Sequence, residues 1–116
     1  MRQPFITPAG KVVLAKLWQP YLIGGQSIWL ADVEYAEPLR DLAPNHGGGY
    51  RFIGLTGPAI YDGKGKPLNL SGEVGAGSLV RVSGQSWRQS RRLVLTLKAV
   101  SIVELIETGN PFILTA

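Results

Sequence analysis

Trp87, Arg88, Arg91 and Arg92 crowd one short stretch of the chain. They combine the two features with which a protein can hold an unpaired nucleic-acid strand: ring faces for bases and cations for phosphates. An exposed aromatic stacks on an unpaired base for about 1–3 kcal/mol whatever the base, and Lys or Arg neutralises phosphates with release of counterions. Arg81 and Lys98 extend the same set along the flanking segments, and Lys64, Lys66 and Arg51 are weaker candidates. A plainer reading fits the residues equally well: Trp87 caps one end of a barrel and the arginines only solubilise an exposed turn. Trp18, Trp29, Tyr35, Tyr50 and Phe52 are further stacking candidates. Aromatics on half-buried strands are core residues more often than not, so two or three of them are expected at the surface.

Catalytic chemistry finds little to work with. His46 is the single histidine, sits beside Gly47-Gly48-Gly49, and has no neighbouring carboxylate or second imidazole to orient it. It reads as a surface-loop residue. Asp32 and Glu34 share a strand face, and Glu37 and Asp41 share a helical turn; both pairs read as solvated surface carboxylates. Neither Gly47-Gly48-Gly49 nor the Gly72–Gly77 stretch has the Gly-Lys-Ser/Thr of a phosphate loop. The chain has no cysteine, which removes disulfides, thiolate nucleophiles and cysteine-zinc sites together. The expectation is a binding protein and not an enzyme, with no catalytic residues, no metal and no cofactor.

The elements that must position these residues follow from turn chemistry and alternation. At 116 residues the chain has room for one core, read as a single domain over 1–116. Its 15 Gly and 8 Pro exclude long helices. A first strand covers Lys11 to Trp18 and ends at Pro20. A Gly24-Gly25 turn leads to a second over Ile28 to Tyr35. Glu37 to Ala43 permits one or two helical turns between Pro38 and Pro44. The glycine run is a flexible loop into a strand over Tyr50 to Leu55, and Asp62-Gly63 supplies the positive φ of a small hairpin. The clearest element is a long hairpin of Ser78–Ser83 and Arg92–Ile106. With Gln89-Ser90 at its tip, it pairs Arg81 with Lys98, Ser83 with Thr96, Gln85 with Val94 and Trp87 with Arg92. Val80, Val82, Leu93, Leu95, Leu97 and Ala99 then form the buried face. The sum is an all-β, small OB-fold-like barrel of about five to six antiparallel strands with at most one short helix, closed or nearly so. The N-terminus lacks a signal peptide's apolar segment and no apolar run is long enough to span a bilayer, so a cytoplasmic protein with no membrane is expected. A net charge of +4 is compatible with a polyanionic partner but does not by itself demand one.

The order of segments resembles that of the single-stranded-DNA-binding proteins of tailed bacteriophages. Thr7-Pro8-Ala9-Gly10 with Leu17-Trp18-Gln19-Pro20 is similar to the turn and strand that open that family. Ile60 to Leu68, containing Asp62-Gly63-Lys64-Gly65-Lys66-Pro67, is similar to its central hairpin. Gly75 to Val82 and Leu93 to Val100 are similar to its last two strands. The resemblance implies an OB barrel with a cationic, aromatic-lined groove for single-stranded DNA, no cofactor and no sequence specificity. It implies a role in DNA replication or recombination, with replication or recombination proteins as further partners; the sequence itself leaves a homo-oligomer open. Members commonly carry an acidic C-terminal tail that recruits such partners, whereas residues 111–116 here are Pro-Phe-Ile-Leu-Thr-Ala. An RNA-binding OB module and a phage structural or interaction barrel are the alternative readings.

Overall fold

Gly24 and Gly25, at φ of 57° and 80°, close strand β2 (Gly10–Ile23) onto strand β3 (Gln26–Glu34). Two successive residues at positive φ give a tight turn whose twist matches that of the strands it joins. Pro20 does not end β2, contrary to the expectation from sequence. Pairing with β3 breaks after Lys16↔Leu30 and resumes at Tyr21↔Ile28, so Pro20 falls in a gap where the ladder needs no N–H. Two amides in that gap are claimed from outside the sheet. Glu73 accepts hydrogen bonds from the backbone N–H groups of Leu17 at 2.9 Å and Trp18 at 3.2 Å, and from its neighbour Val74 at 2.9 Å. Glu73→Ala is therefore expected to destabilise the fold by about 2 kcal/mol, since half-buried amides lose a charged acceptor; urea melts of the two proteins measure it.

The structure, a computed structural model, describes residues 1–106. Its other strands are β1 (Gln3–Ile6), β4 (Tyr50–Gly54), β5 (Ala59–Asp62), β6 (Leu79–Gln89), β7 (Arg92–Leu95) and β8 (Ala99–Glu104). They form one sheet in the order β4-β3-β2-β6-β8-β5, with β1 and β7 each pairing β6 off that path. The all-β class agrees with the sequence reading, but the details depart from it. There are eight strands among the described residues where five to six were expected. The β5–β8 pair is parallel, so the sheet is mixed. It is open, not a closed barrel: among the described residues the β4 edge meets the chain after β7 through the Ile53↔Thr96 bridge and a Leu97 N–H that donates to the Ile53 carbonyl at 2.9 Å. No helix occurs among the described residues, and none is present there to cross a membrane. The Glu37–Ala43 connector is irregular because the Tyr50 hydroxyl takes over its backbone groups, donating to the Leu42 carbonyl at 2.8 Å and accepting from the Leu39 N–H at 3.1 Å.

In the long hairpin the tip is Ser90-Arg91, at φ of 50° and 70°, not Gln89-Ser90. The register moves by two residues: Trp87 faces Val94, Arg88 faces Leu93 and Gln89 faces Arg92. Beyond Leu95 the chain bulges, and β8 rejoins β6 with Ser83↔Ala99, Val82↔Val100 and Arg81↔Ser101. Arg81 and Lys98 are consequently not partners. The bulge also exchanges faces, so Val100 and Ile102, not Ala99, continue the buried row of Val80, Val82, Leu95 and Leu97. Those residues pack against Val12, Ala15, Val33 and Phe52, with Phe5 of β1 tilted onto Phe52 at 5.6 Å between ring centres. In the small hairpin after β5 the left-handed residue is Gly65, at φ 86°, and not Gly63; the Asp62 carboxylate instead accepts from the N–H groups of Lys64 and Lys66. The apolar C-terminal residues singled out in the sequence lie outside the described residues.

Candidate nucleic-acid interface

The Gly47-Gly48 pair makes a tight turn and not a loose loop. Both residues are at positive φ, and His46 and Gly49 exchange backbone hydrogen bonds across them. Asn45 fixes this turn in place. Its Oδ1 accepts from the Arg51 N–H at 2.8 Å, while its Nδ2 donates to the carbonyls of Arg51 at 3.0 Å and Leu93 at 3.3 Å. One side chain thus ties the turn to β4 and to β7.

A groove of about 760 Å³ opens between that turn, β4 and the β6–β7 tip. Arg51, Arg88, Arg91 and Arg92 line it, with Ile53 and Val94 as apolar floor, and no carboxylate among the described residues contributes to its wall. On the other side of the same turn lies a groove of about 520 Å³ with Asp32, Glu34 and Glu37 in its wall. The turn therefore divides an acidic face from a cationic one, a charge separation that directs a polyanion to one side only.

The four arginines are not equivalent. Arg51 forks onto Asp32, its cross-strand partner, with Nε and Nη2 each 2.7 Å from a carboxylate oxygen. Hydrogen bonding to Asp32 raises the guanidinium pKa further, against the opposing effect of desolvation. Asp32 is thus a buried, paired carboxylate and not the solvated one expected, while Glu34 is exposed. Arg51 has its charge balanced within the protein. Arg88, Arg91 and Arg92 are exposed and form no ion pair among the described residues, so they carry the groove's net charge.

The remaining candidates scatter. Arg81 is exposed opposite Ser101, and Lys98 is exposed in the bulge between β7 and β8, where its N–H donates to the Ser83 carbonyl. Lys64 and Lys66 lie on the loop after β5, at the opposite end of the strand order from β4. None of these four lines the groove. Trp87 does not line the groove; it is half-buried on β6, next to Arg88 and opposite Val94, which do. Of the other aromatics proposed for stacking, Tyr50 and Phe52 are core, Trp29 and Tyr35 are half-buried against it, and Trp18 alone is exposed, at 42%.

The fold also has a likeness among solved structures. This chain is similar to gp2.5, a single-stranded DNA binding protein encoded by bacteriophage T7, with a TM-score of 0.60. The match covers 91% of this chain and 94% of that one, at 13% sequence identity, and at that identity it is a likeness of fold. No family model matches the chain, and no curated protein does.

Sequence reasoning missed several residues around the site. Tyr21, exposed near the β2–β3 tip, takes the Lys16 ammonium over its ring at 5.0 Å. His46 stands on the turn that walls the groove, and Asn45 anchors it. Arg2 lies over Trp87. An Asn beside a His-Gly-Gly turn is a local signal for Asn45 and His46; the placing of Tyr21 and Arg2 depends on strand registers that short-range patterns do not specify.

Proposed function

We propose that this domain binds single-stranded DNA without base-specific readout, coating and protecting it during phage DNA replication or recombination. The observation that carries the reading is the arginine-lined, carboxylate-free groove at the β6–β7 tip, with an apolar floor and three guanidinium groups that form no ion pair among the described residues. Such a groove tracks a phosphate backbone, and Ile53, Val94 and Trp87 give the unpaired bases apolar surface to lie against. The fold likeness to a phage single-stranded DNA binding protein supports the same reading. Contacts are assigned to Arg88, Arg91, Arg92 and Trp87; Arg51 acts by shaping the floor, and Arg81, Lys98, Lys64 and Lys66 become peripheral contacts for a longer strand. Binding would need no cofactor and no catalytic group.

Titration of labelled oligo-dT, oligo-U and duplex DNA of equal length at several salt concentrations tests this. Oligo-dT is expected to bind more tightly than the duplex at every concentration, because duplex bases are already stacked on each other. Equal or stronger duplex binding sinks the mechanism, and preference for oligo-U moves the assignment to RNA. A second reading has one observation behind it: Leu22 and Ile23 at the β2–β3 tip are 76% and 63% exposed, as in a protein-contact surface. Failure of every oligonucleotide to bind at low salt would favour it.

A further inference from the structure

Arg2 occupies the place that a stacked base needs. Its guanidinium carbon lies 4.2 Å from the centre of the Trp87 ring, the arrangement of a cation held over an aromatic face. Topology puts it there. β1 runs antiparallel to β6 with Gln3 opposite Ser86, which brings the preceding residue alongside Trp87. Across β6 on the other side, Trp87 is paired with Val94, and paired residues of an antiparallel ladder project from the same face. Val94 and Arg92 line the arginine groove. The Trp87 ring therefore stands next to the proposed strand path, already half-buried and with Arg2 covering it.

Resting on the nucleic-acid reading above, we infer that Arg2 and an incoming base compete for the Trp87 ring, so that strand binding displaces the N-terminal end of β1. Three features make the exchange feasible. Base stacking on an aromatic ring is stronger than a cation–π contact open to water. Only residues 1–3 have to move, because Met1, Arg2 and Gln3 are exposed whereas Phe5 stays anchored on Phe52. The displaced guanidinium remains beside the nucleotide that replaced it, within reach of its phosphate, so the positive charge is retained at the interface. Arg2 thus keeps the ring covered in the free protein and turns into a phosphate contact in the complex.

The experiment uses the full chain, with oligo-dT as the probe and binding followed independently by anisotropy. In the free protein the ring current of Trp87 should shift the Arg2 δ-methylene protons upfield. At saturating oligo-dT these signals are expected to return to random-coil positions. At high salt, where phosphate contacts are screened, Arg2→Ala is expected to bind oligo-dT about two- to fivefold more tightly, the equivalent of one exposed cation–π contact. That gain should vanish in a Trp87→Ala background. If oligo-dT binds while the Arg2 protons stay upfield, or if Arg2→Ala binds equally or more weakly at high salt, the competition is refuted and the groove assignment survives. If no oligonucleotide binds, both readings fall together.

Discussion

Alanine at Arg88, Arg91 and Arg92 together is expected to lower the slope of log K against log salt by about 2, from about 0.7 for each single-strand phosphate that is no longer neutralised. The three side chains are exposed at the β6–β7 tip and in the groove wall, without ion-pair partners among the described residues. Their removal should leave the melting temperature almost unchanged, because surface residues away from packed features seldom shift stability by more than about 0.5 kcal/mol. Two comparisons make the result specific to the groove. Trp87→Ala should weaken binding by about 1–3 kcal/mol with little change of slope, since it removes a stacking surface and no charge. Alanine at Arg81, Lys98, Lys64 and Lys66 together removes more charge, yet from outside the groove, and should alter the slope less for a short oligonucleotide. A triple variant that stays folded and keeps the wild-type slope would place the strand elsewhere.

Arg51 belongs in a different class for an electrostatic reason. Its fork onto Asp32 balances its charge, and Asp32 is 12% exposed against 30% for Arg51. Removing the arginine strands a largely buried carboxylate, so the damage falls on the β3–β4 pairing before it reaches a ligand.

That pair shows where the sequence stopped being legible. Asp32 and Arg51 are 19 positions apart, and their meeting is fixed by the β3–β4 register. Glu73 reaching the amides of Leu17 and Trp18, and Arg2 reaching Trp87, depend on long-range register in the same way. Features governed by local chemistry were readable: the Gly24-Gly25 turn, the long final hairpin, and the buried row Val80, Val82, Leu95 and Leu97. The hairpin's tip was misplaced because Ser90 and Arg91 adopt positive φ with no glycine to mark them. A slip of two residues preserves side-chain parity, so the inward and outward faces of the tip survived the error while each individual pairing changed. The bulge after Leu95 was more damaging. One added residue reverses parity, which is why Ala99 was placed in the core; slip and bulge together move the partner of Arg81 by three residues, from Lys98 to Ser101. The arginine cluster was readable as a set, but the groove that gives it a shape required the 46–49 turn to be seen folding back beside β7.

The same bulge yields the largest expected effect on stability, through Gly84. β6 passes directly beneath the chain as it leaves β7, and a Cβ on Gly84 would overlap the Thr96 carbonyl oxygen and press on its carbonyl carbon and Oγ1. Thr96 has little freedom to retreat. Its N–H donates to the Gln85 carbonyl at 2.9 Å, its hydroxyl oxygen accepts from the Gln85 N–H at 2.7 Å, and it bridges to Ile53. Gly84→Ala must therefore either strain β6 or push Thr96 away, breaking these bonds and the tie that joins β4 to the end of β7. The expected cost is about 3 kcal/mol or more, from overpacking plus the broken hydrogen bonds. That corresponds to a fall of roughly 12 °C or more in melting temperature for a domain of this size. The sign separates this account from intrinsic preference, because alanine is favoured over glycine inside a strand by about 0.5–1 kcal/mol where space allows. Gly63→Ala is the control: an added Cβ there meets only the Ile102 carbonyl oxygen and the Val103 Cα at ordinary contact distances of 3.6 and 3.7 Å, and its melt should match wild type. If Gly84→Ala melts as the control does, the chain after β7 does not cross β6 at this point, and the wall that sets Val94 and Leu93 against Arg51 would have to be rebuilt.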